Sequence, residues 1–347
     1  MPRLALVLTL AAASCAVPED HGQFCGEKCQ TLDFDPDRPP PPDAADPWPD
    51  SPMVDPPTGL AATGLCFDTA CTQYASDVHE FKPRWQLWSD GAVKRRWIYL
   101  PAGTTIDTTD NDYWRFPVGT KLWKDFVRDG VRVETRYMEK TGPGDADWLF
   151  VPYIWNAAQT VAVPITGGAT NVNGTGHDIP AANVCVKCHG NIKSRVLGFQ
   201  TFQLDYDAPA GNIDLVDATA AGWLTTAVPH RVVPGNAQQL AALGYFHANC
   251  GHCHNSQSPL VNRPSFRIET GYIASVADTK AYRTTVNVTG TTAFGGATII
   301  AKPGDPDHSI IITRMLSTDP NKRMPWLGGE IADPTGLATI RAWITAL

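Results

Sequence analysis

The residues of this chain that could carry out chemistry form two copies of one short pattern, Cys-x-x-Cys-His. The copies are Cys185-Val-Lys-Cys188-His189 and Cys250-Gly-His-Cys253-His254. Cysteines at positions i and i+3 share one face of a helical turn, so both thiols can bond to the two vinyl groups of one porphyrin. The histidine that follows can then bind the iron, while its other ring nitrogen usually donates to a backbone carbonyl. The two copies therefore predict two covalently bound haem c groups, with His189 and His254 as iron ligands.

Zinc and a redox disulfide are the competing interpretations of these cysteines. A zinc ribbon has two Cys-x-x-Cys pairs roughly 15–20 residues apart, whereas 61 residues lie between Cys188 and Cys250. A histidine also directly follows each pair, which a ribbon does not need. With nine cysteines and nine histidines in 347 residues, two such motifs by chance are very improbable. The spacing favours haem.

The second haem has a natural candidate for its sixth ligand. Met324, followed by Pro325, lies 70 residues after His254 in a predicted loop between the last two helices. That order suits iron bound by one histidine and one methionine, and thioether ligation raises the reduction potential. Met315 is the alternative, but it lies in an apolar helical segment, where a methionine usually fills a core. Met324 is therefore predicted as the ligand, and the second haem as the one of higher potential.

The first haem lacks a comparable methionine between its motif and the second motif. Candidates for its sixth ligand are His177, His247 and His230, and an iron with five ligands is the remaining alternative. His177 lies shortly before the first motif, and His247 lies seven residues before His254 on the same face of a predicted helix. An isolated histidine has many other roles, so the sequence does not choose among these candidates.

Residues 58–170 have the pattern of a β-rich domain. Short runs rich in Trp, Tyr, Val and Thr alternate with turn residues, and residues 130–137 alternate apolar with charged side chains, as a half-buried strand does. We therefore predict a β-sandwich or barrel-like domain. Seven of the 11 tryptophans lie between Trp85 and Trp155. Their predicted role is to fill the core between sheets, and a binding face for sugars or aromatic ligands is the alternative.

The second half of the chain has helical signals around both motifs. Pro180 is placed to begin a helix through the first motif, within a first haem segment at residues 171–235. Residues 236–347 have the plan of a small c-type cytochrome domain, whose first and last helices cross beside the haem. Helices are predicted near residues 215–227, 238–254, 307–316 and 333–347. The expected fold class is α+β with several domains, a β-sandwich or barrel-like domain followed by a mostly α-helical c-type cytochrome region.

The N-terminus has the pattern of an export signal. Residues 1–15 combine a basic start, an apolar run and the small-residue site Ala12-Ala-Ser-Cys15, which predicts a lipoprotein signal and a lipid anchor on Cys15. Ordinary cleavage near Ala13 is the alternative. Residues 16–57 follow as a cysteine-containing tail and a linker rich in Pro and Asp, a composition that cannot pack a core. We expect an exported protein, either periplasmic or anchored at the outer membrane.

Four cysteines are left after haem attachment and lipidation, namely Cys25, Cys29, Cys66 and Cys71. An even number in an oxidising compartment predicts two disulfides, and all three pairings stay open. Local pairs would close short loops, whereas crossed pairs would join the N-terminal tail to the folded body.

Several motifs together resemble a known family. They are Leu87-Trp-Ser-Asp-Gly91, Phe116-Pro-Val-Gly-Thr120, Tyr153-Ile-Trp-Asn156, the two haem motifs, Gly304-Asp-Pro-Asp307 and Met324-Pro325. This combination resembles the exported dihaem c-type cytochromes with an N-terminal β-rich domain, over roughly residues 58–347. The resemblance implies an electron carrier of the cell envelope. The extra cysteines and the long acidic linker depart from the family pattern.

Three functions follow as hypotheses. The leading one is electron transfer between envelope proteins, with the two haems as a relay. The formal net charge of −7 favours redox proteins with basic docking patches as partners, and no nucleic acid is expected. The second hypothesis is a peroxidase-like dihaem enzyme whose first haem is open to peroxide. The third is a ligand-binding envelope protein that uses its Trp-rich β domain.

Overall fold

The computed structural model describes residues 55–260 and 263–347. The first half of this region is built around one antiparallel sheet of six strands. Each strand pairs with its neighbour in sequence, so the sheet is a simple meander. In chain order the strands are β1 (His79–Glu80), β2 (Val93–Tyr99), β3 (Lys121–Arg128), β4 (Val131–Lys140), β5 (Trp148–Trp155) and β6 (Ala162–Pro164).

The turn between β3 and β4 fixes the register at the centre of the sheet. Asp129 and Gly130 both have positive φ, 52° and 80°, which is the backbone of the two-residue hairpin turns that match strand twist. Arg128 therefore faces Val131 directly, and one bulge follows at Phe126 and Val127. An Asp-Gly pair between two alternating segments thus determines which side chains share a face.

One face of the sheet is covered by the first part of the described chain. Its aromatic side chains pack against Leu60 and Leu65 and against the disulfide that joins Cys66 to Cys71. The disulfide agrees with the local pairing among the alternatives, while Cys25 and Cys29 lie outside the described residues. Five of the seven clustered tryptophans are at most 2% exposed, which supports a packing role for them: Trp97, Trp114, Trp123, Trp148 and Trp155.

The opposite face of the sheet is apolar at one end of the strands and basic in the middle. At one end its apolar side chains, including Ile98 and Leu122, pack against Trp114 and Phe199 from the segments that follow and interrupt the sheet. In the middle it carries basic side chains from three neighbouring strands. This face is the one against which the first Cys-x-x-Cys-His motif packs.

The prediction of an antiparallel β-rich domain is confirmed, but the prediction of a sandwich or barrel is wrong. Within the described residues the sheet is open: β1 pairs only with β2, and β6 pairs only with β5. These edge strands have two and three residues, too few to close a barrel. Loops and short helices, rather than a second sheet, cover the two faces.

The helices are α1 (Cys185–His189), α2 (Thr201–Leu204), α3 (Leu215–Ala220), α4 (Ala237–Asn249), α5 (Lys280–Arg283), α6 (Ile310–Met315) and α7 (Pro334–Thr345). Side chains cap the N-termini of three helices that the sequence predicts. Asp214 and Asn236 form capping boxes with Asp217 and Gln239 at the starts of α3 and α4, and the Asp333 carboxylate accepts from Thr335 N–H at the start of α7. Each cap satisfies amides that would otherwise lack an acceptor.

Several helices are shorter than the sequence predicts. The first motif begins its helix at Cys185 and not at Pro180, because Ala181 is extended with ψ 150°. Helix α3 ends at Ala220, just before Gly222 with φ 71°. Helix α4 ends at Asn249 because Cys250 leaves helical geometry at φ −121°. The second motif therefore follows the helix instead of forming part of it.

Helices α4 and α7 pack against each other, as predicted for the first and last helices of residues 236–347. Trp343 of α7 contacts Phe246 of α4 edge to face, with ring centroids 5.4 Å apart. Near the start of α7, a Cβ added at Gly336 would lie 2.1 Å from the Tyr245 ring. Only glycine permits this approach, so a larger residue there would push the two helices apart.

The prediction that this half is mostly helical is wrong. Helices make up only 23% of the described structure as a whole. In this half, long loops separate the helices, and a hairpin of β7 (Thr289–Phe294) and β8 (Ala297–Ile299) lies between α5 and α6. Its Thr- and Gly-rich sequence lacks the apolar periodicity of a helix, and turn residues Gly295 and Gly296 have positive φ. None of the described helices has the length and apolar character that crossing a bilayer would require.

Candidate functional site

The first motif forms one short helix against the sheet. Cys185, Cys188 and His189 all lie in α1. The Nδ1 atom of His189 lies 2.5 Å from the carbonyl oxygen of Arg195, to which it donates, and its ring contacts Phe150 of β5 at 5.0 Å between centroids. This hydrogen bond fixes the ring and leaves Nε2 as the metal-binding atom, as predicted for an iron ligand.

The His189 imidazole is held in its neutral form. Burial lowers its pKa to about 4, the Arg195 carbonyl opposes this shift, and the charges of Lys124 and Arg136 add to it. A metal binds the neutral ring, so at neutral pH no proton has to leave before His189 can act as a ligand.

The second motif forms a single turn after α4. The N–H groups of Cys253 and His254 both donate to the carbonyl of Cys250, at 3.1 and 2.8 Å. The His254 ring meets Phe266 edge to face at 5.6 Å. Burial lowers the pKa of His254 to about 4, and the Pro264 carbonyl opposes this shift. Among the described residues no acceptor forms a well-aligned hydrogen bond with its buried Nδ1, so this ring is less firmly oriented than His189.

A cavity of about 540 Å³ lies beside the second motif. That volume is within the range of pockets that hold cofactors. Cys250, Cys253 and His254 line it, and so do both candidate sixth ligands, Met315 and Met324. Much of the remaining wall is apolar and includes Tyr245, Phe266, Val288, Ile300, Ile310, Ile311, Trp326 and Leu327.

The two methionines differ in how the fold uses them. Met315 is only 7% exposed and belongs to the core formed with Phe246, Ile312 and Trp343. Met324 is half-buried in the loop before α7, and its N–H donates to the Arg314 carbonyl at 3.0 Å. A side chain outside the core can reach a ligand in the cavity without leaving a void, so the packing favours Met324.

Polar atoms of the cavity wall also fit a large anionic cofactor. The indole N–H of Trp326 is buried and has no acceptor within the described part of the chain. The side-chain oxygen of Asn321 is also buried, and no described residue donates a hydrogen bond to it. Lys187, Arg263, Arg283 and Arg314 also line the cavity, whereas its described lining contains no carboxylate. Haem brings two propionates and a flat apolar ring, so this donor set, cavity and Cys-Cys-His constellation fit it together.

The two motifs meet in the folded chain, which the sequence did not predict. The Sγ atoms of Cys188 and Cys253 and a ring nitrogen of His252 all lie within 4.8 Å of one another. The Cys253 thiol also lies 3.8 Å from the Lys187 carbonyl oxygen. His252 occupies a variable position inside the second motif, so nothing in the pattern marked it as a functional candidate.

This cluster reopens the comparison with zinc. Cys188, Cys253 and His252 are three ligand types that zinc accepts, but structural zinc sites almost always have four ligands, and the cluster contains three. A zinc site here would also leave Cys185, Cys250, both motif histidines and the large cavity without a role. Zinc therefore accounts for fewer of these residues than haem does, and the cluster marks where the two motifs adjoin.

The candidate sixth ligands of the first haem are engaged in different ways. His177 is buried, with its Nε2 3.1 Å from the Glu134 carboxylate. His247 has both ring nitrogens in use: Nδ1 accepts from the Ile268 N–H at 3.0 Å, and Nε2 lies 2.8 Å from the Gln200 side-chain amide. His230 is exposed and pairs with Asp205 at 2.7 Å. The engagement of both ring nitrogens counts against His247. His252 is an additional candidate because one of its ring nitrogens lies within 4.8 Å of the Cys188 Sγ atom.

No protein family, curated protein or solved structure matches this chain. The family resemblance based on its motifs therefore stays an expectation, and the function is inferred from the site itself.

Proposed function

We propose that this chain is an exported dihaem c-type cytochrome that transfers electrons between proteins of the cell envelope, with one haem c attached at each motif. The observation that carries this proposal is the meeting of the two motifs at Cys188 and Cys253, next to a cavity lined by the second Cys-Cys-His set. Each bound haem supplies one centre at which iron alternates between its ferric and ferrous states.

The residues of the first site would attach the haem and orient its histidine ligand. Cys185 and Cys188 provide the two thioether sulfurs, and His189 provides the proximal nitrogen with its ring held by the Arg195 carbonyl. The aromatic ring of Phe150 supports the imidazole from the sheet. A hydrogen bond from the Nδ1–H of His189 to a carbonyl raises the basicity of the other ring nitrogen and fixes the tautomer.

The residues of the second site also exclude water. Cys250, Cys253 and His254 attach and bind the cofactor, and Met324 provides the sixth ligand. The side chains of Phe266, Ile310 and Ile311 line the same cavity. A dry apolar shell and a thioether ligand both favour the ferrous state. A haem held by these residues would therefore have the higher potential of the two and would accept electrons from the first.

The juxtaposition of the motifs makes the two centres a relay. The Sγ atoms of Cys188 and Cys253 lie within 4.8 Å of each other, and a thioether sulfur is bonded to a substituent on the porphyrin edge. Haems held by these two cysteines would therefore be close enough to exchange electrons without a mobile carrier.

The proposed location and partners rest on chemistry as well as on the N-terminal pattern. Haem c is attached outside the cytoplasm, and the Cys66–Cys71 disulfide suits an oxidising compartment. Residues 1–15, with the proposed lipid anchor on Cys15, lie outside the described residues. We propose that the protein is periplasmic or anchored at the outer membrane, and that its partners are other redox proteins.

A dihaem peroxidase is the second candidate function, because the described histidines do not give the first haem an evident sixth ligand. His177 and His247 are held by Glu134 and by Ile268 and Gln200. A first haem with an open position would accept peroxide as a ligand, and the two electrons and two protons that reduce it to water would come from a reduced partner protein by way of the second haem and from solvent. A first haem with six ligands would transfer electrons only.

A redox titration followed by absorbance and electron paramagnetic resonance, with peroxide added afterwards, tests the proposal and separates it from the peroxidase. The carrier predicts two one-electron steps per chain and ferrous haems that are inert to carbon monoxide. Rapid turnover of peroxide, with a high-spin first haem, would support the peroxidase instead. A protein without haem absorbance after expression in a host that attaches haem c would contradict both.

A further inference from the structure

Three basic side chains lie side by side on the sheet face that meets the first motif. Arg96 of β2 is directly opposite Lys124 of β3, and Lys124 is directly opposite Arg136 of β4. We refer to these three residues as the basic row. Like charges directly opposite each other destabilise a sheet, so the row has a cost that some other group must offset.

The chain itself offsets only part of this charge. Glu134 accepts two hydrogen bonds from Arg136, at 2.6 and 3.0 Å. Arg96 is 5% exposed and donates only to the neutral Gln86 side chain at 2.9 Å. Lys124 lies 4.9 Å from the centre of the Phe126 ring. Within residues 55–260 and 263–347 no carboxylate forms an ion pair with Arg96 or Lys124. Burial and the neighbouring charges of Arg96 and Arg136 hold the pKa of Lys124 well below its usual range, because a buried charge without a counter-ion is unfavourable. An anion bound beside the row would favour the charged form of Lys124.

The basic row begins at the first motif and leads away from it. The His189 ring of the first motif contacts Phe150 of β5 at 5.0 Å between centroids, and Phe150 lies directly opposite Met138 of β4. Arg136 is two residues from Met138 on the same face of the sheet. Neighbouring strands are about 4.8 Å apart, so the row extends roughly 10 Å from Arg136 to Arg96. This length is comparable to the width of a porphyrin ring.

The far end of the basic row opens into a small crevice. Arg96 and Lys124 line it, and Arg267 and two histidines contribute from the opposite segments. The described lining of this crevice, of about 40 Å³, contains no carboxylate. Its electrostatic field therefore favours an anion, and its size suits a carboxylate group better than a whole cofactor.

We propose that the basic row binds the propionate carboxylates of the haem attached at the first motif, with Lys124 and Arg96 as their main partners. This rests on the proposed function, because propionates arrive only with the haem. Thioethers to Cys185 and Cys188 fix one edge of the porphyrin, and the propionates extend from the opposite edge. Arginine offers a carboxylate two parallel N–H donors, and lysine offers a compact charge.

The reduction potential of the first haem tests this proposal. A nearby cation disfavours the ferric state, which carries one more positive charge than the ferrous state. Lys124→Met should therefore shift the equilibrium toward ferric haem by about tenfold, which is ~59 mV for a one-electron couple. Arg96→Met should act in the same direction, while Lys124→Arg, which keeps the charge, should retain most of the wild-type potential. The reduction potential of the second haem should shift much less in each variant.

The matched control is Arg95→Met. Arg95 is the same residue type on the same strand, but it points to the opposite face and pairs with Glu80 at 2.6 Å. If Lys124→Met retains two haems and shifts the first potential no more than Arg95→Met does, the proposal is wrong. A wild-type potential that varies with phosphate concentration at constant ionic strength would also overturn it, by showing that the row binds an exchangeable anion. Fewer than two haems in the wild type would instead refute the proposed function.

Discussion

The Sγ atoms of Cys188 and Cys253 lie within 4.8 Å of each other, although they belong to motifs far apart in the sequence. The contact forms because α1 packs on the sheet while the turn after α4 approaches it, so that the Lys187 carbonyl also lies beside the Cys253 thiol. On the proposed function, this contact makes two attachment sites into one electron-transfer unit.

The first prediction concerns coupling between the two irons. With porphyrin edges held together at Cys188 and Cys253, we expect the ferric signals of the wild type to be broadened by the neighbouring spin. In a Cys185→Ser/Cys188→Ser variant, which attaches only the second haem, we expect the remaining ferric signal to be sharper. Electron paramagnetic resonance at low temperature makes the comparison. A wild-type spectrum equal to the sum of the spectra of two single-haem variants would argue against contact between the rings.

The second prediction concerns Met324. Met324→His replaces a thioether with an imidazole, which favours ferric iron. We expect the potential of the second haem to fall by a substantial part of the roughly 0.8 V that axial ligands span, with loss of the Fe–S charge-transfer band. Met315→Leu is the matched control, because Met315 packs in the core and should affect stability and not the band. Survival of the band in Met324→His would exclude Met324 as the ligand.

The third prediction separates structural from iron-binding histidines near the first haem. His247→Gln breaks the contacts with Ile268 N–H and Gln200, so we expect it to destabilise the fold by about 1–3 kcal/mol with unchanged spin state. His252→Gln should convert the first haem from low to high spin, if the imidazole beside Cys188 is its sixth ligand. Absorbance and paramagnetic resonance of the ferric variants read this out. The opposite pattern would restore His247 as the ligand.

The sequence predicts which residues belong to the candidate site better than it predicts their arrangement. Cysteine and histidine spacing is local, so the two Cys-x-x-Cys-His motifs and the approximate positions of helices α4 and α7 could be predicted from short segments. The approach of Cys253 to Cys188 depends on tertiary packing and leaves no local pattern. For the same reason His252 was missed.

The strand pattern likewise predicted an antiparallel sheet but not its openness. Alternation in residues 130–137 reports that one face is buried, and this holds for β4. It does not report what covers the other face. Arg136 is one of the charged residues of that alternation, which predicts a solvent-facing side chain, whereas in the fold it is half-buried and lies opposite Lys124.

The fourth prediction uses a carboxyl group away from both motifs. Asp125 is 3% exposed, and burial raises its pKa to about 6, against the hydrogen bond from the Thr135 hydroxyl. The unfolded chain, with a pKa of 3.8, releases this proton first as pH rises. The protonated Asp125 carboxyl group therefore contributes its full stabilisation of the folded state below about pH 4. This contribution is lost as pH rises from about 4 to about 6.

Asp125→Asn removes this titration while keeping an oxygen that accepts from Thr135. We expect the variant to raise the free energy of unfolding by about 2–3 kcal/mol at pH 8, from two pKa units, and to have little effect at pH 4. Denaturant unfolding at the two pH values measures the difference. A variant equally or less stable than the wild type at pH 8 would show that Asp125 is stabilised as an anion.

The most direct test of the central claim is the intact mass of the denatured protein, purified from a host that attaches haem c. We predict a mass increase of two haem groups that survives unfolding, with one haem on the peptide containing Cys185 and Cys188 and one on the peptide containing Cys250 and Cys253. A chain mass without haem, accompanied by bound zinc in the native protein, would contradict the account.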